Sequence, residues 1–410
     1  MSTKTNQPTI LVTDSNRGSA ISIIRSLGRR GWRVIAADST PDSLGFRSRY
    51  VGETLLYPDA EREPRGLVNC LLDAVQRFNV DLVIPVTDAV ILPLSAERAR
   101  FEGVCKLALP TPEALEVVTN KLKTLELAQE LNVPAPKTQL VHTAKEALAH
   151  GDELGWPIVL KPQNSRLYVD QAAIESFTVC YAENAEQLAS QMARFEGRCP
   201  VLLQEYYTGS GQGVELLMHQ GRPLAAFQHK RLREVPINGG ASAFRESVAL
   251  DPALYAHSVR LLEALKWTGL AMVEFKVGAQ GPKLMEINGR VWGSLPLAVR
   301  SGMDFPARLV DLYLLHGLPP TVTPVNTDYK VGVRARNLEL DVVWIASVLQ
   351  GKQRYPFLKM PTRGEAVTAF FELFHPAYKY DILSRSDPMP GLAEIPKITR
   401  KLVTKFKDAA

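Results

Sequence analysis

Short apolar strands alternate with amphipathic helices over the first quarter of the chain. Residues 9–13 (TILVT) have the composition of a buried strand, and the stretch AISIIRSLGRRG after them has helical periodicity and ends at a glycine. A second strand, RVIAAD, follows directly, and the helix-like LVNCLLDAVQRF leads into a further strand, LVIPVT. Because parallel strands need long crossover connections, this alternation predicts an α/β, doubly wound parallel sheet over residues 1–111.

The chain changes character near residue 112. Prolines bracket one amphipathic helix in LPTPEALEVVTNKLKTLELAQELNVPAPKT, and closely spaced strands follow it. Two pairs of strands read as hairpins, GVELLMHQG with RPLAAFQHKR and AMVEFKV with PKLMEING, which favours an antiparallel α+β arrangement. A chain of 410 residues is also too long for one core. We therefore divide it into residues 1–111, 112–203, 204–330 and 331–410.

Composition argues against several classes of protein. The hydrophobic share of 46% and the charged share of 22% are ordinary globular values. No apolar run approaches the ~18 residues of a membrane-spanning helix, and the start lacks a secretory pattern, so we expect a cytoplasmic protein without membrane insertion. The four cysteines lie far apart, which predicts free thiols. Much of the net charge of +5 lies in the C-terminal tail, which we interpret as a solvated helix face rather than a nucleic-acid or membrane surface.

The second hairpin concentrates carboxylates on one face. Alternation in AMVEFKV and KLMEIN places Glu274, Glu286 and Asn288 on one side and Met285 on the other. If the strands pair symmetrically about Gln280, the two glutamates face each other and repel unless a positive charge lies between them. Two carboxylates and an amide oxygen suit magnesium, so the pattern predicts a metal site. The alternative is an exposed hairpin whose acids point to water.

Several cationic side chains could bind an anionic ligand. Lys161 closes the apolar strand PIVL and could meet an anion at the strand's exit, and Lys121 lies in TNKLKT; both could equally be solvated. The turn TGSGQG could cover phosphates with backbone N–H groups. The loop HKRLREVPINGGAS, with Lys230 and Arg233, suits anion binding on a mobile lid, or is a solvated loop. Arg290, in GRVWGS after the acids, could hold a carboxylate or phosphate by a bidentate fork.

In order and spacing, the motifs NKLKT, VLKP, QEYYTGSG, VEFK and LMEINGR resemble those of the ATP-grasp superfamily, especially the branch of carbamoyl phosphate synthetase, biotin carboxylase and amino-acid ligases. The resemblance implies a Rossmann-like pre-ATP-grasp domain over residues 1–111 and a two-subdomain α+β ATP-grasp fold. Its small lid subdomain would span residues 112–203, its nucleotide- and metal-binding subdomain residues 204–330, and a mixed, helical extension residues 331–410. One departure is QNSRLY after Lys161, where relatives have a glycine- and serine-rich phosphate loop.

The resemblance also implies roles for the residues that match its motifs. Glu215 would contact the ribose hydroxyls, and residues 204–207 would form the hinge strand facing adenine. The implied nucleotide contacts are Lys121, Lys161, Gln204, Glu205, Tyr206, Tyr207 and Glu215. The implied ligands for Mg²⁺, or Mn²⁺ in its place, are Glu274, Glu286 and Asn288. Arg290 would stabilise the transferring phosphoryl group or the substrate carboxylate, with Lys230 or Arg233 assisting from the other side.

Together these features predict an ATP- and Mg²⁺-dependent carboxylate ligase. It would form an acylphosphate from a small carboxylate, pass the acyl group to an amine or thiol co-substrate, and release ADP and phosphate; homo-oligomerisation is left open. Phosphoryl transfer needs positioning and charge neutralisation more than a reactive side chain. The alternatives are a small-molecule kinase on the same fold and a non-catalytic ATP-binding protein. KVGVRARNLELD is expected to continue the core as a strand that directs Arg334 and Arg336 toward an anionic substrate.

Overall fold

The computed structural model describes most of the chain, and the described residues form four β-sheets. The described residues are 7–163, 166–169, 173–176, 179–237, 239–314, 325–351 and 355–407. Side chains are described for all of these except residues 166–169, 173–176 and 403–407. The segment QNSRLY, in which the sequence departs from the ATP-grasp pattern, therefore lies largely outside the described side chains.

A five-stranded parallel sheet forms the first unit. Its strands are β1 (Thr9–Val12), β2 (Arg33–Asp38), β3 (Glu53–Leu56), β4 (Leu82–Ile84) and β5 (Lys106–Leu107), in the spatial order β3-β2-β1-β4-β5. Between them lie the helices α1 (Gly18–Arg29), α2 (Pro64–Phe78) and α3 (Asp88–Ala96), and short 3-10 helices at Leu44–Arg47 and Arg98–Phe101. Ile10 packs with the apolar side of α1, whereas Leu11 packs with that of α2, so both faces of the sheet are covered. The predicted doubly wound parallel sheet is confirmed.

A small antiparallel sheet follows two helices that pack elsewhere. The helices α4 (Pro112–Thr119) and α5 (Lys121–Glu130) contribute Ala114 and Ala128 to the core of the large sheet. The small sheet has the order β10-β7-β11-β6, from β6 (Thr138–Val141), β7 (Ile158–Pro162), β10 (Cys180–Ala182) and β11 (Val201–Glu205). The strands β8 (Arg166–Val169) and β9 (Ala173–Ser176) pair with each other as a separate antiparallel sheet. The helices α6 (Ala144–Ala149), α7 (Gly151–Leu154) and α8 (Ala185–Met192) complete this unit, which has its own apolar core.

The third unit is a seven-stranded sheet in the order β16-β15-β12-β13-β14-β17-β18. Its strands are β12 (Ser210–His219), β13 (Arg222–Val235), β14 (Ala241–Ser247), β15 (Gly269–Gly278), β16 (Gly281–Asn288), β17 (Arg334–Arg336) and β18 (Lys379–Tyr380). The helices of this part are α9 (Pro252–Ala264), α10 (Leu295–Arg300) and α11 (Phe305–Leu314). Neighbouring strands are antiparallel except for the parallel pair β17 and β18. This antiparallel α+β unit confirms the predicted fold class, whereas the predicted domain boundaries stay a prediction.

The C-terminal segment adds the helices α12 (Leu338–Gln350), α13 (Arg363–Glu372) and α14 (Met389–Lys407), and it returns to the first unit. The carboxylate of Asp387 accepts hydrogen bonds from Arg25 Nε at 2.8 Å and from Ser48 Oγ at 2.7 Å. Both side chains of the Arg25–Asp387 ion pair are buried, so this contact fixes the segment before α14 on α1. Within the described residues, no helix is both long enough and apolar enough to cross a membrane.

The strand expected in KVGVRARNLELD exists as β17, but its arginines do not point toward a ligand site. Arg336 is fully buried, and its NH1 lies 2.7 Å from the carboxylate of Asp341. Arg334 pairs with Glu246 at 3.2 Å. The expectation that both face an anionic substrate is therefore wrong, because acids on β14 and α12 already neutralise them.

Candidate functional site

A cavity of about 780 Å³ lies where the three units meet. The first unit lines it with residues that follow its strands, such as Asp14, Thr87 and Asp88. The small sheet, the start of α5 and the end of β16 supply the other walls. Six residues singled out by the sequence are brought together here: Lys121, Lys161, Gln204, Glu286, Asn288 and Arg290.

The register of the β15–β16 hairpin is the one predicted for its acids. Glu274 pairs directly with Glu286, and Gly278 pairs with Gly281 at the turn. These two pairings are compatible only because the register shifts by one residue after Glu274. The extra residue on β16 is Met285, so Leu284 takes the buried position and Met285 lines the cavity. The prediction that Met285 shares the apolar face is wrong, because alternation fails across a β-bulge.

Arg231 supplies a positive charge beside the paired acids. Its guanidinium donates to the carboxylate of Glu274, and its NH1 lies 3.2 Å from Glu234. Burial raises the pKa of Glu274 to about 7; Arg231 opposes that rise and the charge of Glu286 adds to it. Glu274 therefore does not point freely to water, whereas Glu286 is exposed and lines the cavity.

Glu286 and Asn288 present oxygen ligands to the cavity. The Nδ2 of Asn288 donates to Glu286 Oε1 at 3.0 Å, and Glu274 lies across the strand pair. In the part of the chain that the structure describes, no group of three or more His, Cys, Asp or Glu side chains is arranged to hold a metal ion. The set is two carboxylates and one amide, which suits Mg²⁺ when phosphate oxygens complete the coordination.

Two lysines converge on Glu286 from different elements. The side chain of Asn120 caps α5, so the helix begins at Lys121 and directs it into the cavity. Lys161 lies near the end of β7. Burial lowers the pKa of Lys161 to about 8 and lowers that of Lys121, while Glu286 opposes both shifts. Neither lysine is a solvated strand or helix end.

The predicted hinge residues divide between the cavity and the hairpin. Gln204 lines the cavity, and its Nε2 donates to Thr138 Oγ1 at 2.9 Å. Glu205 pairs with Lys283, and the Tyr207 hydroxyl donates to the Gly281 carbonyl at 2.6 Å. Tyr206 packs edge-on against Phe357. Glu205 and Tyr207 therefore join the end of β11 to the hairpin, and the contact of the four hinge residues with adenine stays a prediction.

Glu215 is not at the cavity. It is fully buried, its Oε1 lies 2.9 Å from His229 Nδ1, and Ser294 Oγ donates to the same oxygen at 2.9 Å. The prediction that it contacts ribose hydroxyls is wrong for this structure, because those two side chains enclose it.

Lys230 and Arg233 also lie away from the cavity. Neighbouring strand residues point to opposite faces, so Arg231 faces Glu274 while Lys230 is exposed on the other face. Arg233 Nε lies 2.7 Å from Asp341, and its NH1 lies 2.7 Å from Glu372. The cation that the structure places beside Glu274 is Arg231, and the choice between it and Lys230 depends on the register of β13 and β15 with β12.

Arg290 reaches across to the first unit. Its Nε donates to Asp88 Oδ2 at 2.9 Å, and both residues line the cavity. Asp14, Thr87 and Asp88 also line the cavity, and no motif in the sequence indicated them, although they follow the strands β1 and β4. Thr87 Oγ1 donates to Asp14 Oδ1 at 3.0 Å. The available signal was that carboxyl ends of parallel strands meet at one edge of a sheet and form its binding crevice.

Known proteins resemble both the sequence and the fold. Residues 198–338 match a family described as ATP-grasp in the biosynthetic pathway with Ter operon. Over 148 residues the chain is 32% identical to the formate-dependent phosphoribosylglycinamide formyltransferase of Synechococcus sp. (strain CC9605). That match spans 36% of this chain and 35% of the length of that enzyme.

Solved structures extend the resemblance to most of the fold. The biotin carboxylase of Campylobacter jejuni, in a β-γ-ATP complex, is 18% identical with a TM-score of 0.58, over 80% of this chain and 74% of that one. The L-amino acid ligase of Bacillus licheniformis is 16% identical with a TM-score of 0.57, over 75% of this chain and 74% of that one. The N5-carboxyaminoimidazole synthetase of Staphylococcus aureus, complexed with ADP, is 12% identical with a TM-score of 0.58, over 76% and 78%. The chain has the ATP-grasp fold, as its motifs predicted.

The assignment of Arg231 as the partner of Glu274 predicts a difference in stability between neighbouring variants. Arg231→Met leaves a buried carboxylate without its cation, so we expect the free energy of unfolding to fall by about 3 kcal/mol. Lys230→Met removes the same charge from an exposed position and should change the free energy of unfolding by less than about 0.5 kcal/mol. Urea denaturation of both variants and the wild type measures the difference. Equal losses in the two variants would contradict the assignment.

Proposed function

We propose that this chain is an ATP- and Mg²⁺-dependent ligase that activates a small carboxylate and transfers it to a nucleophile, most often an amine. The observation that carries the proposal is one cavity lined by Lys121, Lys161, Glu286, Asn288 and Arg290. The names of the similar proteins support it, since they include an amino-acid ligase, a formyltransferase and a biotin carboxylase complexed with a form of ATP.

The two lysines would bind the phosphates of ATP. Both lie close enough to Glu286 for its charge to counter the effect of burial on their pKa values. A phosphate chain beside Glu286 would therefore meet cations from α5 and from β7. Cations placed before the reaction stabilise negative charge as it moves onto the leaving ADP, with little reorganisation at that moment.

Glu286 and Asn288, with Glu274 across the strands, would hold Mg²⁺. When bound there, the ion neutralises phosphate charge and screens the two glutamates from each other. Arg231 keeps Glu274 in place from the opposite side. The oxygen-only donor set and the mutual repulsion of the acids both fit such an ion.

Arg290 would orient the substrate carboxylate. One carboxylate oxygen attacks the γ-phosphorus, the bond to the β–γ bridging oxygen breaks, and ADP leaves. The nucleophile then attacks the acyl carbon of the resulting acylphosphate, loses its proton, and expels inorganic phosphate. Asp88, which pairs with Arg290, fixes this guanidinium between the first unit and the hairpin.

Replacing the predicted metal ligand tests the assignment directly. Glu286→Gln removes one of the two carboxylates, and we expect ATP turnover to fall at least about 100-fold because charge neutralisation is lost. Phosphorus NMR on protein with Mg²⁺, ATP and pooled carboxylic acids and amines measures the products. ADP with free phosphate identifies a ligase, whereas ADP with a new phosphorylated metabolite identifies a kinase.

A matched variant separates the local effect from a general one. Glu186→Gln makes the same change at an exposed position on α8 and should keep wild-type turnover. Circular dichroism checks that both variants are folded. Full turnover by Glu286→Gln would contradict the metal assignment.

The lowered pKa of Lys161 predicts that nucleotide affinity depends on pH. The free protein loses the Lys161 proton near pH 8, and bound phosphate favours the protonated form. Affinity should therefore be highest below that pKa and fall by about tenfold from about pH 7 to about pH 9. Titration calorimetry with MgADP measures the affinity at both values.

Two variants of Lys161 sharpen this test. Lys161→Arg keeps its charge throughout the range and should remove most of the pH dependence. Lys161→Met should bind about 10- to 100-fold more weakly at about pH 7. An affinity that is the same at both pH values in the wild type would show that Lys161 does not contact the phosphates.

A further inference from the structure

Three phenylalanines protrude from the end of α13. Phe370, Phe371 and Phe374 are 48%, 68% and 73% exposed, and their rings contact one another edge-on. Such rings are normally buried, and a cluster of exposed ones marks an interaction surface. The inner side of α13 packs its Ala366 and Ala369 against apolar side chains of α12, and this apolar cluster does not include the three phenylalanines.

A second apolar stripe lies on α14. Met389, Leu392 and Ile395 recur every three residues and are each about half exposed. Beside this stripe opens a cavity of about 1040 Å³, whose walls also include Val343 of α12. An amphipathic helix normally buries its apolar side, but part of the apolar side of α14 faces solvent.

Basic residues continue the surface. Lys397, Arg400 and Lys401 follow the apolar stripe on α14, and Arg47 of the first unit lines the same cavity. Glu394, the one acid in the sequence of α14, is buried, so it does not offset these charges at the surface. Asp42 lies 3.5 Å from Lys397, and Glu339 pairs with Lys401, which leaves the lining net positive.

The basic half of α14 and the end of α13 both reach the first turn of α12. Lys401 contacts Glu339 in the first turn of α12, and Asp341 in the same turn shares Arg233 with Glu372 of α13. The basic half of α14 and the phenylalanine cluster therefore flank the same end of α12. We call this region, formed by the exposed residues of α13 and α14 with Arg47, the C-terminal surface.

We propose that the C-terminal surface binds the face of an anionic membrane without crossing it. Exposed apolar rings beside lysines and arginines match an interface that has acyl chains beneath and negative headgroups above. The protruding shape of the phenylalanine cluster suits insertion between lipids, and the positive cavity beside α14 gives room for a headgroup. The basic tail is then more than the solvated helix face that its sequence suggested.

Vesicle flotation tests the proposal on the full chain. The wild type should float with vesicles of phosphatidylcholine and phosphatidylglycerol, should not float with phosphatidylcholine alone, and should be released by high salt. Lys397→Gln, Arg400→Gln and Lys401→Gln together should weaken partitioning on the order of 100-fold, at about fivefold for each charge. Phe370→Ser, Phe371→Ser and Phe374→Ser together should also abolish flotation.

A matched variant distinguishes this surface from overall charge. Lys106→Gln, Lys145→Gln and Arg222→Gln together remove the same charge from exposed positions elsewhere and should float like the wild type. Absence of flotation by the wild type, or equal loss in this control, would overturn the proposal. A dimer seen by light scattering that disappears in the phenylalanine variant, without vesicle binding, would instead assign the surface to a second copy of the chain.

Discussion

Two glutamates lie directly opposite each other on neighbouring strands, and the surrounding structure must compensate their repulsion. Glu274 and Glu286 share one face of the β15–β16 hairpin, where like charges at cross-strand distance destabilise the sheet. Arg231, on β13, forms an ion pair with Glu274. Lys121 on α5 and Lys161 on β7 place positive charge near Glu286 and so reduce its repulsion from Glu274. An ATP–Mg²⁺ complex would enter a site in which carboxylates for the metal ion and cations for the phosphates are already in place.

The supports of this site come from distant parts of the chain. Arg290, directly after the hairpin, pairs with Asp88 of the first unit, 202 residues away. Arg233, two residues after Arg231, is held by Asp341 and Glu372 of the C-terminal segment. Those contacts fix the irregular stretch of β13 where the register shifts between Arg231 and Arg233. The first unit thus fixes Arg290, and the C-terminal segment fixes Arg233, two residues after the Arg231 that pairs with Glu274.

Local patterns predicted the parts of the site that depend on neighbouring residues. The alternation of strands and helices predicted the parallel sheet. Symmetry about Gln280 predicted the pairing of Glu274 with Glu286, and the structure has this pair, although it reaches it through the bulge at Met285 rather than through that symmetry. What failed depended on geometry that no short pattern contains. The bulge at Met285 turns that side chain to the face opposite the predicted one. The relative register of β13 and β15 places Arg231, rather than Lys230, beside Glu274. The burial of Glu215 depends on His229 and Ser294, which meet it only in the folded sheet.

The central claim is that the cavity beside Glu286 holds a nucleotide and a divalent cation together. A crystal structure with Mn²⁺ and a non-hydrolysable ATP analogue tests it most directly, because manganese is located by its anomalous scattering. We expect an anomalous peak in contact with the carboxylates of Glu274 and Glu286, and phosphates within reach of Lys121 and Lys161. A nucleotide bound outside this cavity, or a metal peak away from both glutamates, would contradict it.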